Sequence, residues 1–310
     1  MNTLYDGNGN IISLTETSCN FNVKDYNIFE SNNGTERQAI LTYEGKSLYP
    51  QTYNDLIKEK IKKYEGGVML TIGDSYTAMM NVDYFTPFAE KHGLIKDNRG
   101  LGSSTIAGNS EGTVGNHPFW IRLDEAITQY KADGGYKIGD TAYTCDDVKL
   151  ITFMGGTNDW NTVNNQINRL GTGVNDTNKE TIYGACNYIF RTLLNTFNNA
   201  DIIVILQPVH WAYSIPTEEK EATDVGFKSL SEAQGMTDAQ YSSYIVTRKE
   251  AIVKEVAEKY GLTICDCCFN WYSPINPSNA IKYWQSDKLH LTNEGWNEII
   301  KKLEHTVNMI

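Results

Sequence analysis

The chain has 310 residues and a formal net charge of −11 at pH 7. This length allows a large buried core; it is long for one doubly wound α/β domain and short for two. The acidic balance argues against a nucleic-acid partner, because proteins that bind polyanions cluster Lys and Arg against the phosphates. The sequence has neither an apolar run long enough for a membrane span nor the basic and apolar regions of a signal peptide. We therefore expect a soluble chain, either cytoplasmic or associated with a surface such as that of a phage.

Residues 1–50 are rich in Asn, Gly, Thr and Ser, and turn signals separate their short apolar pieces. Asp6-Gly7 and Asn8-Gly9 lie between two such pieces, which is typical of a β-hairpin. We predict a short β-rich arm over residues 1–50 and a main domain over residues 51–310. The arm either packs on the main domain, which we favour, or is a small accessory module for attachment or for assembly of a homo-oligomer.

From residue 51 onward, segments with helical periodicity alternate with short apolar runs typical of buried strands. This alternation predicts a mainly parallel sheet covered by helices on both faces, which is a three-layer α/β/α sandwich. The predicted helices are 51–64, 76–92, 118–132, 179–198, 237–260 and 292–306. The predicted strands are 67–73, a short piece from 94, 148–154, 201–206 and 262–266.

The first apolar strand stops at Gly73-Asp74-Ser75 and runs into helical sequence. A glycine allows a tight reversal, and the first N–H groups of a helix have no partner within it. Ser75 would then be an exposed hydroxyl beside an anion-binding site. On its own the tripeptide is weak evidence and favours an ordinary turn or helix cap, so a nucleophilic role needs partners elsewhere in the chain.

Three later segments offer such partners. Asp287 lies three residues before His290, and a histidine accepts a serine proton when a carboxylate holds its tautomer and orientation. Asn158 follows an apolar strand that ends in two glycines, and its amide can donate to an oxyanion. The small-residue loop 98–105 offers backbone N–H groups. Because ligands bind beyond the carboxyl ends of parallel strands, we expect all these segments to meet there.

In this order, the four segments resemble the signature blocks of the SGNH (GDSL-type) hydrolase family: a Gly-Asp-Ser turn, a glycine loop, a Gly-x-Asn-Asp turn and a late Asp-x-x-His. The resemblance spans residues 66–308. It implies a doubly wound, flavodoxin-like α/β/α fold and a serine esterase. Ser75 would be the nucleophile, His290 the general base and acid, and Asp287 the partner that orients the histidine.

The resemblance also implies an oxyanion hole formed by the Ser75 N–H, one N–H of the glycine loop and the Asn158 amide. The family places its oxyanion glycine five residues after the asparagine of that loop. This chain has Ser103 there, with Gly102 just before it. The second backbone donor is therefore either Ser103 or Gly102.

Aromatic residues are frequent in the connections 160–177, 207–236 and 269–286. Rings with polar edges suit the faces of sugars, whereas a lipid channel would be lined by aliphatic side chains. We therefore predict a carbohydrate O-acetyl esterase, with a lipase or thioesterase of the same family as the alternative. The candidate substrate-binding residues are Trp160, His210, Trp211 and Trp284. For any single ring, the alternative is that it packs its own loop.

Two further classes of function differ from an esterase. A metal phosphoesterase is disfavoured because the chain has only five histidines. A zinc site at Cys265, Cys267 and Cys268 is disfavoured because the sequence lacks a second pair of cysteines at zinc spacing. We expect buried, reduced thiols there, and neither a metal nor a cofactor. Asp74 and Asp159 are expected to hold their turns by accepting backbone N–H groups. A non-catalytic glycan-binding module with a hydrolase fold stays an alternative, because a fold does not prove turnover.

Overall fold

The computed structural model describes residues 63–78, 84–113, 116–161, 166–167, 170–268 and 282–310, together with five short strands among the first 50 residues. The chain divides into two compact units, Met1–Glu59 and Lys60–Ile310. The predicted domain boundary after residue 50, and any assembly through the arm, stay predictions. Most of the predicted helix over 51–64 lies outside the described residues.

The described strands of the first unit form two small antiparallel sheets. The five strands are β1 (Leu4–Tyr5), β2 (Ile11–Ile12), β3 (Phe29–Glu30), β4 (Ala39–Tyr43) and β5 (Lys46–Leu48). β1 pairs with β2 across the Asp-Gly and Asn-Gly turn signals, and β4 pairs with both β3 and β5.

The second unit alternates strands and helices in the way that the apolar pattern predicts. Its strands are β6 (Val68–Gly73), β7 (Ile95–Asn98), β8 (Tyr136–Ile138), β9 (Thr141–Tyr143), β10 (Val148–Met154), β11 (Trp160–Asn161), β12 (Gln166–Ile167), β13 (Asp201–Leu206) and β14 (Thr263–Asp266). Its helices are α1 (Ser75–Ala78), α2 (Phe85–Lys91), α3 (Phe119–Tyr130), α4 (Ile182–Thr196), α5 (Glu219–Asp224), α6 (Leu230–Gln234), α7 (Asp238–Lys259) and α8 (Asn293–Met309).

Five strands form the central sheet in the order β14-β13-β10-β6-β7, and all its pairs are parallel. From β6 the chain goes first to one side of the sheet, to β7, and then crosses to the other side, to β10. The order therefore reverses between β6 and β10, and the crevice outside their carboxyl ends is where such sheets bind ligands. The predicted fold class, a three-layer α/β/α sandwich with a mainly parallel sheet, is confirmed.

The two faces of the sheet are buried under separate helix layers, because successive side chains of a strand point to opposite faces. On β6, Val68, Leu70 and Ile72 belong to the larger apolar cluster, which also contains residues of α3, α4 and α7. Met69 belongs to the second cluster, with residues of α2 and α8. Burial on both faces explains why all six residues of β6 are buried and apolar or small, with no polar alternation.

The long helices begin where a threonine can cap them. Thr181, Thr237 and Thr292 precede α4, α7 and α8, and each side chain accepts an N–H from three residues further on. The predicted boundaries of these three helices differ by at most three residues from the observed ones. The single helix predicted over 76–92 is wrong, since α1 and α2 are separate helices. Among the described residues, no helix is both long and apolar enough to cross a membrane.

Candidate active site

Ser75 is the first residue of α1, two residues after the end of β6. The turn that presents it is fixed by the fully buried Asp74. One carboxylate oxygen of Asp74 accepts the N–H of Tyr76 at 3.0 Å. The other accepts the N–H groups of Gly156 and Thr157, at 3.0 and 3.1 Å. Asp74 therefore joins the turn after β6 to the turn after β10, which is the structural role predicted for it.

Two glycines allow the backbone segments around Ser75 to approach one another closely. A Cβ on Gly73 would lie 2.1 Å from the carbonyl oxygen of Met154. A Cβ on Gly100 would lie 2.4 Å from the backbone nitrogen of Ala78. Neither distance is sterically allowed, so only glycine lets the loop after β7 lie against α1 and the end of β6 lie against β10.

His290 lies between Ser75 and Asp287. Its Nε2 is 3.0 Å from the Ser75 hydroxyl oxygen, and its Nδ1 is 2.6 Å from the Asp287 carboxylate. The other carboxylate oxygen of Asp287 accepts the N–H groups of Leu289 and His290, both at 2.9 Å. The hydroxyl of Tyr76 donates to the carbonyl of Leu289 and so ties this loop to the helix of Ser75. His290 is thus within hydrogen-bonding distance of both other side chains of the predicted triad.

The Asp287 carboxyl has a lowered pKa. Its partial burial acts to raise the pKa, but hydrogen bonds from the His290 ring and from the N–H groups of His290 and Leu289 outweigh that effect. The group is therefore a carboxylate at neutral pH. A carboxylate in contact with Nδ1 favours the tautomer that leaves Nε2 free to accept a proton, and it stabilises the imidazolium that follows.

This lowered pKa predicts a pH-dependent contribution of Asp287 to stability. A carboxyl whose pKa is lower in the folded state stabilises that state above its unfolded pKa, about 3.9, and loses the contribution as the pH falls through the folded value. We expect the difference in Tm between the wild type and Asp287→Asn to be complete above about pH 5 and to shrink below about pH 4. Thermal unfolding of both proteins by circular dichroism checks this; a constant difference across the range would contradict it.

The candidate oxyanion donors lie at the same edge of the sheet. Asn158 is 8% exposed, and one N–H of its amide donates to the carbonyl of Ser104 at 2.9 Å, which leaves the second N–H for another acceptor. Within the described parts of the chain, the backbone N–H groups of Ser75, Gly102 and Ser103 have no hydrogen-bond partner. Ser103 has φ = 62°, the left-handed conformation that favours glycine.

The turn after β10 is also held by Asp159, which is fully buried. Its two carboxylate oxygens accept the N–H groups of Ile106 and Ala107, at 2.9 and 3.0 Å. As predicted, this carboxylate accepts backbone N–H groups. It joins the turn that carries Asn158 to the segment that follows the loop 98–105.

The four candidate substrate-binding residues differ in where the structure places them. The side chain of Trp160 lies outside the described residues. His210 and Trp284 are 0% and 2% exposed, so these two rings pack beneath the surface and do not form the predicted substrate-binding surface. Burial is the main reason that the pKa of His210 falls to about 3, so this ring is neutral.

Trp211 lines a cavity of about 500 Å³. Asp287 borders the same cavity, whereas Ser75 and His290 are absent from its walls. The other polar side chains of the lining are Tyr213, Ser214, Asp238, Ser286 and Lys288. The cavity is therefore a polar space with one indole ring, next to the carboxylate end of the hydrogen-bonded chain.

No protein-family model and no curated protein matches the sequence. Solved structures are similar in shape. A protein from Lactobacillus plantarum superposes with a TM-score of 0.51 at 19% identity, over 79% of this chain and 98% of its own. The chain has the fold that its resemblance to the SGNH hydrolases implies. At such low identity the likeness shows the fold and nothing of the reaction.

Other similar structures superpose less well. A candidate SGNH hydrolase from Slackia heliotrinireducens gives a TM-score of 0.42 at 11% identity, over 78% of this chain and 99% of its own. A candidate arylesterase from Agrobacterium tumefaciens gives 0.45 at 14% identity, over 79% of this chain and 99% of its own.

Two groups of residues that support the site were not predicted as supports from the sequence. Tyr76 and Tyr213 use their hydroxyls to hold backbone carbonyls of the site loops. Lys249 and Glu250 form a buried ion pair beneath the turn after β10. Tyr76 lies in a short helix and Tyr213 in an irregular loop, so no periodic pattern in the sequence marks either as a support of the site. Two adjacent charged residues in a helix are normally exposed, so the pair gave no signal either.

Among the described residues, no group of three or more His, Cys, Asp or Glu side chains is arranged to hold a metal ion. Cys265 and Cys267 are free and fully buried at the end of β14, as predicted for reduced thiols, while Cys268 is partly exposed.

Proposed function

We propose that this protein is a serine hydrolase that cleaves carboxylic esters, with Ser75 as nucleophile, His290 as general base and acid, and Asp287 as the group that orients His290. The observation that carries the proposal is the continuous chain of hydrogen bonds from Asp287 through His290 to Ser75, with lengths of 2.6 and 3.0 Å. A nucleophile, a base within hydrogen-bonding reach and a third group that orients the base are the parts that this reaction needs.

In the proposed reaction, the Ser75 oxygen attacks the ester carbonyl while its proton passes to Nε2 of His290. The tetrahedral intermediate collapses when Nε2 returns that proton to the leaving alcohol. A water molecule then repeats both steps on the acyl-enzyme and releases the acid. The carboxylate of Asp287 stays ionised throughout and lowers the energy of each imidazolium state.

The negative oxygen of the intermediate would be bound by the N–H of Ser75, the N–H of Ser103 or Gly102, and the amide of Asn158. The free state of these backbone N–H groups supports this assignment, as does the left-handed backbone of Ser103. Ser103 then has the backbone conformation that a glycine would adopt, which favours it over Gly102 as the second donor. Each donor is expected to contribute about 3 kcal/mol to the transition state.

Covalent labelling tests the nucleophile without knowledge of the substrate. A fluorophosphonate probe should add one phosphonyl group to the intact protein, and peptide mapping should place it on Ser75. Prior mixing with EDTA should not change the rate, because no step uses a metal. A protein that takes up no label, or takes it up on a serine other than Ser75, would contradict the proposal.

We further propose that the ester is an O-acetyl group on a carbohydrate. The cavity beside Asp287 supports this: an indole ring and hydroxyl, carboxylate and ammonium groups suit a sugar, which has apolar faces and hydroxyl edges. A long acyl chain would gain little from such a lining. In this arrangement the acetyl group lies at Ser75, and the sugar extends past His290 toward Trp211.

A comparison of substrates tests this finer assignment. We expect kcat/KM on p-nitrophenyl esters to fall from acetate to butyrate to octanoate. We also expect the enzyme to hydrolyse an acetylated oligosaccharide. Trp211→Ala should raise KM for the oligosaccharide by about five- to tenfold, because a ring contact of this kind is worth about 1 kcal/mol. The same variant should hydrolyse p-nitrophenyl acetate with the wild-type kcat/KM.

A preference for octanoate would assign the site to lipid or thioester chemistry instead. Binding of the oligosaccharide without turnover of any ester would favour a glycan-binding module.

A further inference from the structure

The turn over residues 155–158 is held from below by side chains of three other elements. Asp74 accepts two of its backbone N–H groups, at 3.0 and 3.1 Å. The Tyr213 hydroxyl donates to one of its carbonyls at 2.6 Å, and the Lys249 ammonium donates to another at 3.3 Å. The last residue of this turn is Asn158, whose amide donates to the carbonyl of Ser104 at 2.9 Å.

Lys249 is unusual among these groups because it is a fully buried cation in the middle of α7. Its ammonium forms an ion pair with Glu250 at 2.7 Å and donates to the side-chain oxygen of Gln207 and to the carbonyl of Gly155. Burying an ion pair costs free energy, and apolar side chains in place of both partners would fill the same space without that cost. The ion pair is therefore weak evidence of a contribution to stability, and its contacts point to the turn instead.

A second contact leads from Lys249 to the same turn. The hydroxyl of Thr157 donates at 3.2 Å to the Gln207 oxygen that Lys249 holds. Lys249 therefore fixes a carbonyl of the turn directly and the side chain next to Asn158 through one intermediary. Gly156 packs on its hydrocarbon stem, where an added Cβ would lie 2.9 Å from Cδ.

We infer that Lys249 is a positioning residue, which holds the 155–158 turn so that the amide of Asn158 is directed at the oxyanion before a substrate arrives. This inference rests on the proposed hydrolase function. Fixed donors stabilise a developing charge well because they need no reorganisation during the reaction. If the turn relaxed by a fraction of an ångström, the site would bind the transition state less tightly, and the binding of the substrate would weaken by less.

The charge of Lys249 also acts on the turn through Asp74. Burial raises the pKa of Asp74, and the N–H of Tyr76 and the nearby Lys249 charge oppose that rise. Without the cation, Asp74 would be protonated more readily and would accept the two N–H groups of the turn less strongly. Both effects of removing Lys249 would loosen the turn over residues 155–158.

Lys249→Met removes the ammonium and keeps the length of the side chain. We expect kcat on p-nitrophenyl acetate to fall by about ten- to a hundredfold, with KM within about twofold of wild type. Val253→Ala is the matched control, since Val253 lies one turn further along α7 in the apolar core. It should lower the Tm while leaving kcat unchanged.

A double-mutant cycle separates positioning from a general structural effect. Asn158→Ala alone should lower kcat by about a hundredfold. If Lys249 acts through Asn158, adding Lys249→Met to Asn158→Ala should lower kcat by less than about threefold more. The inference would be overturned if Lys249→Met lowered kcat as much in the Asn158→Ala variant as in the wild type. It would also be overturned if folded Lys249→Met had the wild-type kcat.

A milder change covers the case in which Lys249→Met does not fold. Thr157→Val deletes only the hydroxyl that Gln207 holds. It should lower kcat several-fold, and the loss should again disappear in the Asn158→Ala background; a full loss there, or none in the wild-type background, would overturn the inference. The proposed function fails separately, if the wild type shows no turnover that depends on Ser75.

Discussion

Ser75→Ala should lower kcat for p-nitrophenyl acetate by about 10⁴-fold or more, because the proposed reaction forms its acyl intermediate on the Ser75 hydroxyl. The change should leave the fold intact, since the Ser75 side chain has one hydrogen-bond partner among the described residues, His290. Its backbone N–H, the candidate oxyanion donor, is retained by alanine. Initial rates with substrate at saturation, on protein whose circular dichroism matches the wild type, measure the effect.

Ser110→Ala makes the same chemical change at an exposed serine and should retain the wild-type rate. If Ser75→Ala kept more than a few per cent of wild-type activity, the nucleophile would have to lie elsewhere. If Ser75→Ala keeps a residual activity and the further change His290→Ala abolishes it, water attacks the ester directly with His290 as base.

The sheet and the edge that carries the site could be predicted from the sequence because both depend on local pattern. Apolar runs such as Val68–Gly73 and Val148–Met154 can be buried only between two helix layers, and this determines the parallel arrangement. Once the sheet is parallel, every loop that follows a strand lies at one edge. This is why Ser75 and Asn158, which are far apart in the chain, lie at the same edge.

Which of the candidate substrate-binding rings are exposed was harder to predict, because burial depends on three-dimensional packing. His210 and Trp211 are neighbours in one loop after β13, and composition treats their rings alike. In the structure His210 is fully buried, with its ring centre 4.5 Å from that of Tyr213, and Trp211 lines the cavity. No periodic pattern in an irregular loop distinguishes the two.

The supports of the site were not predictable either, since their partners are distant in sequence. The hydroxyl of Tyr76 holds the carbonyl of Leu289, and Lys249 on α7 holds a turn after β10. A motif records the residues that meet the substrate. The residues that hold those residues in place can come from any element that packs beside them, and so a search by motif does not find them.

Asp287→Asn should lower kcat by about 10³-fold, although it changes one atom. The asparagine oxygen can still accept the N–H groups of Leu289 and His290, so the loop should keep its shape. Its amide nitrogen, however, would face Nδ1 of His290 as a donor. The histidine would then carry its proton on Nε2, where it cannot accept the proton of Ser75.

The loss should be smaller than for Ser75→Ala, since Asp287 is 45% exposed and water can solvate part of the imidazolium charge. Glu294→Gln is the control, because it removes one negative charge from the first turn of α8 without a described contact to His290. It should leave kcat within about twofold of wild type, a change that a weakly screened surface charge can cause. If Asp287→Asn and Glu294→Gln lowered kcat equally, general electrostatics would account for the effect and the orienting role of Asp287 would be wrong.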